Sequence, residues 1–232
     1  YEGTAVKFHQ ESPLRVVPVC EHFTYCGGCQ WQHMNYQSQL HYKQKEVENN
    51  LKRLGGVIPE EILPIVGCNK PYFYRNKMEY SLYYDHETEK IYPAMHLRGT
   101  HKKIPITSSS IELPAIFERA KAIIDDLNNS QEDARKYQSL LLRANQKGEI
   151  SAQLYVKDER FKPFSKEEIT SLGFKNFEII FSNPKSPASV ITKKIKSQNQ
   201  ENLQDSVLGV NFNYATESFF QINLPVYEQA LR

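Results

Sequence analysis

Tyr74-Arg-Asn-Lys-Met-Glu-Tyr-Ser-Leu-Tyr-Tyr84 alternates between apolar and polar side chains. Met78, Tyr80, Leu82 and Tyr84 share one face, and Arg75, Lys77, Glu79 and Ser81 share the other. Successive strand side chains point to opposite faces, so this period of two predicts a strand with one face buried. Residues 85–90 read as a turn and residues 91–97 as the returning strand. A second hairpin is predicted from residues 137–144 and 149–156, across Asn145-Gln-Lys-Gly148. Residues 177–182, 190–195 and 207–214 supply further strands, and residues 1–8 read as the end of a strand that belongs to a preceding element. Hairpins of this kind make the sheet mainly antiparallel, and helical periods between them make the class α+β.

The helical periods lie on both sides of that first hairpin. Tyr36, Leu40, Val47, Leu51 and Leu54 recur at helical spacing, with Asn35 as N-cap and Gly55-Gly56 as the stop. The other face of this helix carries His41, Lys43, Lys45, Lys52 and Arg53 among glutamates, which reads as a solvated face. Ile111, Leu113, Ile116, Phe117, Ala120, Ile123, Ile124 and Leu127 predict a second helix, with Pro114 tolerated in its first turn. Ser165-Lys-Glu-Glu168 is a capping box for a short third helix that stops at Gly173. Asn223 and Pro225 open a fourth. Residues 197–205 are polar and read as a flexible loop or boundary.

Composition narrows the class. In 232 residues, 40% are apolar, enough to fill a core without disulfide staples. A net charge of +2 neither demands nor excludes a nucleic-acid partner. No run of eighteen apolar residues occurs and residues 1–10 lack a secretory pattern, so the expectation is a cytoplasmic protein without a membrane partner. Tyr1 stands where an initiator methionine would, and the expectation is a chain that begins within a longer protein.

Three of the four cysteines fall within ten residues, in Cys-Glu-His-Phe-Thr-Tyr-Cys-Gly-Gly-Cys from Cys20 to Cys29. Without a secretory signal, such clustering favours a metal over disulfides. A Gly-Gly turn lets two thiolates meet one soft centre, because glycine accepts positive φ. Zinc would draw its fourth ligand from His22, His33 or Cys68, and an iron–sulfur cluster would need a fourth thiolate. The plain alternative is a set of reduced structural cysteines. A nucleophilic role for Cys20, Cys26 or Cys29 is disfavoured, since the crowding of thiols and histidines suits a metal site better. No Gly-rich phosphate loop or hydrolase motif accompanies them. Basic and aromatic residues mingle in residues 72–77 and 96–103, a mixture that can hold phosphate and stack bases.

Three motifs in order carry a resemblance: Cys20 to His33 with Cys-Gly-Gly-Cys-Gln-Trp-Gln-His, then Tyr74-Arg-Asn-Lys-Met-Glu79, then Phe219-Phe-Gln-Ile-Asn223. Together they resemble the RNA uridine C5-methyltransferases, and the cysteine loop resembles the iron–sulfur branch that acts on 23S ribosomal RNA. The resemblance covers nearly the whole chain. It implies the tail of an OB-like barrel (TRAM) domain at 1–15 and a central domain at 16–200. From 206 to 232 it implies the start of a Rossmann-like S-adenosylmethionine-dependent methyltransferase domain.

The implied reaction forms 5-methyluridine. Uracil C5 becomes nucleophilic once a thiolate adds at C6, and a base removes the C5 proton after methyl transfer. By resemblance that thiolate and base lie beyond Arg232, so no catalytic residue is expected in this chain, which should be inactive alone. Gln221 is implied in binding S-adenosyl-L-methionine and Phe219 in contacting the target nucleotide. Cys20, Cys26 and Cys29 are implied ligands of a [4Fe-4S] cluster. The family's fourth ligand follows a strand, and the matching stretch Ile106-Thr-Ser-Ser-Ser-Ile111 places Ser109 there. Serine is a poor iron ligand, which leaves Cys68 as the substitute or the cluster incomplete. The partner is RNA, with 23S ribosomal RNA the expected one, and no obligate protein partner is implied. The rival reading is a non-catalytic, metal-stabilised RNA-binding module.

Overall fold

A computed structural model describes residues 7–130, 132–161, 173–186 and 189–232. Its centre is a seven-stranded sheet in the order β3-β2-β1-β4-β5-β6-β7. The strands are β1 (Lys77–Asp85), β2 (Lys90–His96), β3 (Lys103–Pro105), β4 (Tyr137–Ala144), β5 (Ile150–Val156), β6 (Asn176–Phe181) and β7 (Lys193–Gln198). Every neighbouring pair is antiparallel except β5 and β6, which run parallel. The α+β class and the mainly antiparallel sheet agree with the alternation read in residues 74–84, since Met78, Tyr80 and Leu82 are buried. A parallel neighbour requires a crossover rather than a tight turn. The expected capping box at Ser165–Glu168 falls in that connection but lies outside the described residues, as do residues 1–6 of the expected first strand.

Helix α1 (Tyr36–Asn49) opens on Asn35, whose side chain accepts from the Ser38 backbone N–H at 2.9 Å. It widens into a π-helical turn at Asn50–Leu54 before Gly55. Its apolar stripe does not enter the core: α1 has no buried residue, and Val47 and Leu54 are exposed. Helix α2 (Pro114–Asn129) behaves as its period predicts. Ile116, Ala120, Ile123, Ile124 and Leu127 are buried, and they belong to the same apolar cluster as Tyr80, Leu140, Leu142 and Leu154 of the sheet. Each buried isoleucine or leucine among them contributes about 1.5–3 kcal/mol by leaving water.

Two expectations need correcting. Residues 197–205 are not a loose boundary, because Leu203 begins β8 (Leu203–Val207), on which Leu203, Asp205 and Val207 are buried in alternation. Nor is the stretch 207–214 one strand. Leu208 and Gly209 both take positive φ, at 49° and 82°, and turn the chain into β9 (Val210–Tyr214), antiparallel to β8. A turn with φ > 0 at both centres matches the twist of a two-residue hairpin. Only Gly209 announces it, because leucine rarely adopts that conformation. Helix α3 (Leu224–Ala230) follows, with the Asn223 side chain accepting from the Val226 N–H at 3.4 Å. Among the described residues, no helix is long and apolar enough to cross a membrane.

Candidate functional site

The cysteine loop is pinned to the end of β2. Its base is closed by a bridge between Arg15 and Met34, with Val16 N–H donating to the His33 carbonyl at 2.9 Å. Its tip pairs with the chain after β2: Gly27 N–H donates to the His96 carbonyl at 2.9 Å and Arg98 N–H to the Tyr25 carbonyl at 2.8 Å. Gly27 and Gly28 are absent from the positive-φ residues, so the expected reason for the glycine pair was wrong. Close approach is what Gly27 supplies, since a Cβ there would sit 3.1 Å from the His96 carbonyl oxygen.

One guanidinium organises the loop. Arg98 Nη2 donates to the carbonyls of Phe23 at 2.9 Å, Cys29 at 2.8 Å and Cys26 at 3.4 Å, and its guanidinium lies 5.1 Å from the Phe23 ring centre. Carbonyls with no strand or helix partner are thereby satisfied by a cation. His22, buried, accepts from Thr107 N–H at Nε2 (3.0 Å) and contacts Tyr25 Oη through Nδ1 at 2.6 Å. Both ring nitrogens are thus engaged within the protein.

The four cysteines are free thiols, with Cys26 buried and Cys20, Cys29 and Cys68 partly so. Burial pushes the Cys29 thiol up from its ordinary value; Gln32 opposes by hydrogen bonding, and neighbouring Cys20 and Cys26 add to the rise. The Ser109 hydroxyl hydrogen-bonds to the Glu112 carboxylate. Cys68 donates to the Lys70 carbonyl at 3.0 Å and accepts from Asn223 Nδ2 at 3.4 Å. Among the described residues, no group of three or more His, Cys, Asp or Glu side chains is placed to hold a metal ion. The residues therefore do not fit a [4Fe-4S] cluster, which needs four thiolates around one centre.

The second assembly was only half foreseen. Residues 215–221 lie against the central strands β1, β4 and β5 of the seven-stranded sheet and are held there largely through their carbonyls. Asn76 Nδ2 donates to the Gln221 carbonyl at 3.2 Å, and Lys77 Nζ to the Glu217 carbonyl at 3.0 Å. Arg143 Nη1 donates to the carbonyls of Ser218 and Ala215, and Nη2 to that of Phe220. Gln153 Nε2 reaches the Glu217 carboxylate at 2.7 Å. Arg143 is 1% exposed, and its guanidinium lies 5.1 Å from the centre of the Tyr214 ring, which stacks on Phe220 at 4.5 Å. Tyr214 in turn donates to buried Asp205. Burial pulls the Arg143 pKa below its ordinary value, while Tyr214, Asp205 and Glu217 pull it back.

The outcome is a segment fixed by its backbone with a side chain left outside: Phe219 is 85% exposed, and Gln221 is partly exposed. Asn76 and Lys77 lay within the strand motif, but Arg143, Gln153 and Asp205 were missed. The available signal was Arg143 itself, a charge inside Leu140-Leu-Leu-Arg-Ala144. Arginine in an almost wholly buried strand is there to meet a partner. The basic stretch 96–103 proves partly committed to structure, with Arg98 in the loop and Lys103 Nζ donating to the Leu82 carbonyl at 3.2 Å.

No family model matches the chain. An uncharacterized RNA methyltransferase of Bacteroides thetaiotaomicron is 39% identical over 133 residues, covering 55% of this chain and 28% of that protein. One from Halalkalibacterium halodurans is 28% identical over 246 residues, covering 99% of this chain and 53% of that protein. The fold matches Pyrococcus abyssi tRNA (uracil-54, C5)-methyltransferase, solved with S-adenosyl-L-homocysteine, at a TM-score of 0.69 and 20% identity, over 97% of this chain and 52% of that one. The chain spans about half the length of the full-coverage relatives. The chain is thus similar in sequence to RNA methyltransferases and has the fold of this part of the Pyrococcus abyssi enzyme.

Proposed function

We propose that this chain is the central, RNA-facing part of an S-adenosylmethionine-dependent RNA uracil-C5 methyltransferase that forms 5-methyluridine in 23S ribosomal RNA in the cytoplasm. The observation that carries this reading is the clamped segment. Asn76, Lys77, Arg143 and Gln153 fix residues 215–221 while Phe219 stays 85% exposed. A flat aromatic ring on a rigid backbone suits stacking against an extruded base. In this reading Gln221, two residues on, orients the methyl donor. When bound, that donor supplies an electrophilic methyl group.

In this reading residues 1–15 close a barrel domain, 16–200 form the central domain and 206–232 open the methyltransferase domain. The thiol that attacks C6 and the base that takes the C5 proton belong to residues beyond 1–232, so the chain positions substrate and performs no bond-making step. Cys20, Cys26 and Cys29 enter as the thiols a metal centre would use, within a loop whose role is structural. No step is routed through a cluster.

Methyl transfer from labelled S-adenosylmethionine to transcribed 23S ribosomal RNA tests the assignment. A longer protein that contains this chain should be active, and Phe219→Ala in it should lower turnover by about tenfold or more. Residues 1–232 alone should transfer nothing; methylation by this stretch would overturn the division of labour. Activity on transfer RNA with none on ribosomal RNA would replace the substrate. Stoichiometric iron in anaerobically purified protein would restore the cluster.

A further inference from the structure

A cavity of about 580 Å³ lies between the cysteine loop, α1 and the chain leading into β1. Its size falls within the range of ligand-binding pockets, roughly 300–1,000 Å³. The rings of Trp31, Tyr72 and Tyr74 line it, together with the cations Lys43 and Arg75. Glu46 is the one carboxylate on its wall. This cavity explains α1: Tyr36 and Leu40, the start of the apolar stripe, form its wall instead of a core.

We propose that this cavity receives an unpaired ribonucleotide of the RNA substrate, with its base among the rings of Trp31, Tyr72 and Tyr74 and its phosphate on Lys43 and Arg75. The inference rests on the RNA-methyltransferase reading and adds a binding site to it. Rings with nearby cations are the combination that single-stranded RNA requires, because every base has a π face and every linkage a charge. Both cations are preset. Lys43 Nζ lies 5.8 Å from the centre of the Trp31 ring, and Arg75 Nε donates to the Lys77 carbonyl at 2.9 Å. Among the described residues neither cation is in a salt bridge with a carboxylate. Asn223, which caps α3 at the end of the clamped segment, also lies on the wall. The cavity is thereby continuous with the segment that displays Phe219, so one strand of RNA can touch both.

Trp31 is the single tryptophan of the chain, so its emission reports on this cavity directly. The 232-residue chain is titrated at low salt with an unstructured oligouridylate, read by Trp31 emission and, with an end-labelled copy, by anisotropy. The expected result is saturable quenching with the same midpoint as the anisotropy change. Tyr72→Ala should weaken binding about tenfold and Tyr72→Phe should keep it, which separates a lost stack from a lost fold. Arg75→Gln should weaken binding and lower the salt slope by about one. RNA binding that leaves Trp31 emission unchanged, with all three variants like the parent, overturns the cavity and spares the RNA reading. Absence of any RNA binding overturns both.

Discussion

Arg143 shows how much a single side chain can decide. Its planar group meets the carbonyls of Ala215, Ser218 and Phe220 and the face of Tyr214. Lysine carries the same charge but cannot present a fork of donors in fixed directions. Arg143→Met should cost about 2–4 kcal/mol in denaturant unfolding, because charge-assisted bonds vanish and buried carbonyls lose their partners. Amide exchange in residues 215–223 should rise more than in β4 and β5. Equal protection in that segment would show that the neighbouring Asn76 and Lys77 suffice. Glu112 supplies a second test. It is fully buried, accepts from Tyr80 and Ser109, and burial pushes its pKa up to about 6 from an ordinary 4.5. A raised carboxylate pKa means that the folded state holds the proton more tightly than the unfolded one. The group's contribution is therefore complete below about pH 4.5 and lost as pH climbs through about 6, a change of about 2 kcal/mol. The stability difference between the parent and Glu112→Gln should decline across that window and stay flat above it. A difference constant from pH 4 to 8 would return Glu112 to an ordinary carboxylate.

At the scale of elements, helices with similar stripes met different fates. α2 lies on the sheet, and Ile123 is buried among strand residues, so Ile123→Ala should cost about 2–5 kcal/mol by urea unfolding. In α1 the exposed Val47 should tolerate alanine within about 0.5 kcal/mol. Similar losses at both positions would mean that α1 is packed against a core after all. The cysteine loop is the third element to be judged this way. Arg98, His22 and the pairing of Gly27 with His96 already satisfy its backbone. Dialysis against a chelator should accordingly leave the melting temperature unchanged, whereas Arg98→Ala should lower it. The reverse pattern would assign the loop's order to a metal.

Across the whole molecule, local pattern and distant contact divide the account between them. Alternation in residues 74–84, the turn residues Asn145–Gly148 between two apolar runs, and the stripe from Ile116 to Leu127 set strands, helix and class, because period and turn chemistry decide which side chains share a face. The caps at Asn35 and Asn223 were legible for the same reason: a side-chain oxygen meets an N–H three residues along its own chain. The ordered motifs around Cys20, Tyr74 and Phe219 were equally readable and carried the resemblance, and the relatives described above are likewise RNA methyltransferases. What the sequence could not determine was every contact between residues far apart in the chain. The Arg143 clamp spans more than seventy residues, and Tyr80 of β1 reaches Glu112. The α1 stripe lines a cavity rather than a core. Periodicity records that a side chain will leave water or find a partner; only the tertiary fold, which brings distant backbone carbonyls and rings within reach, decides which partner that is.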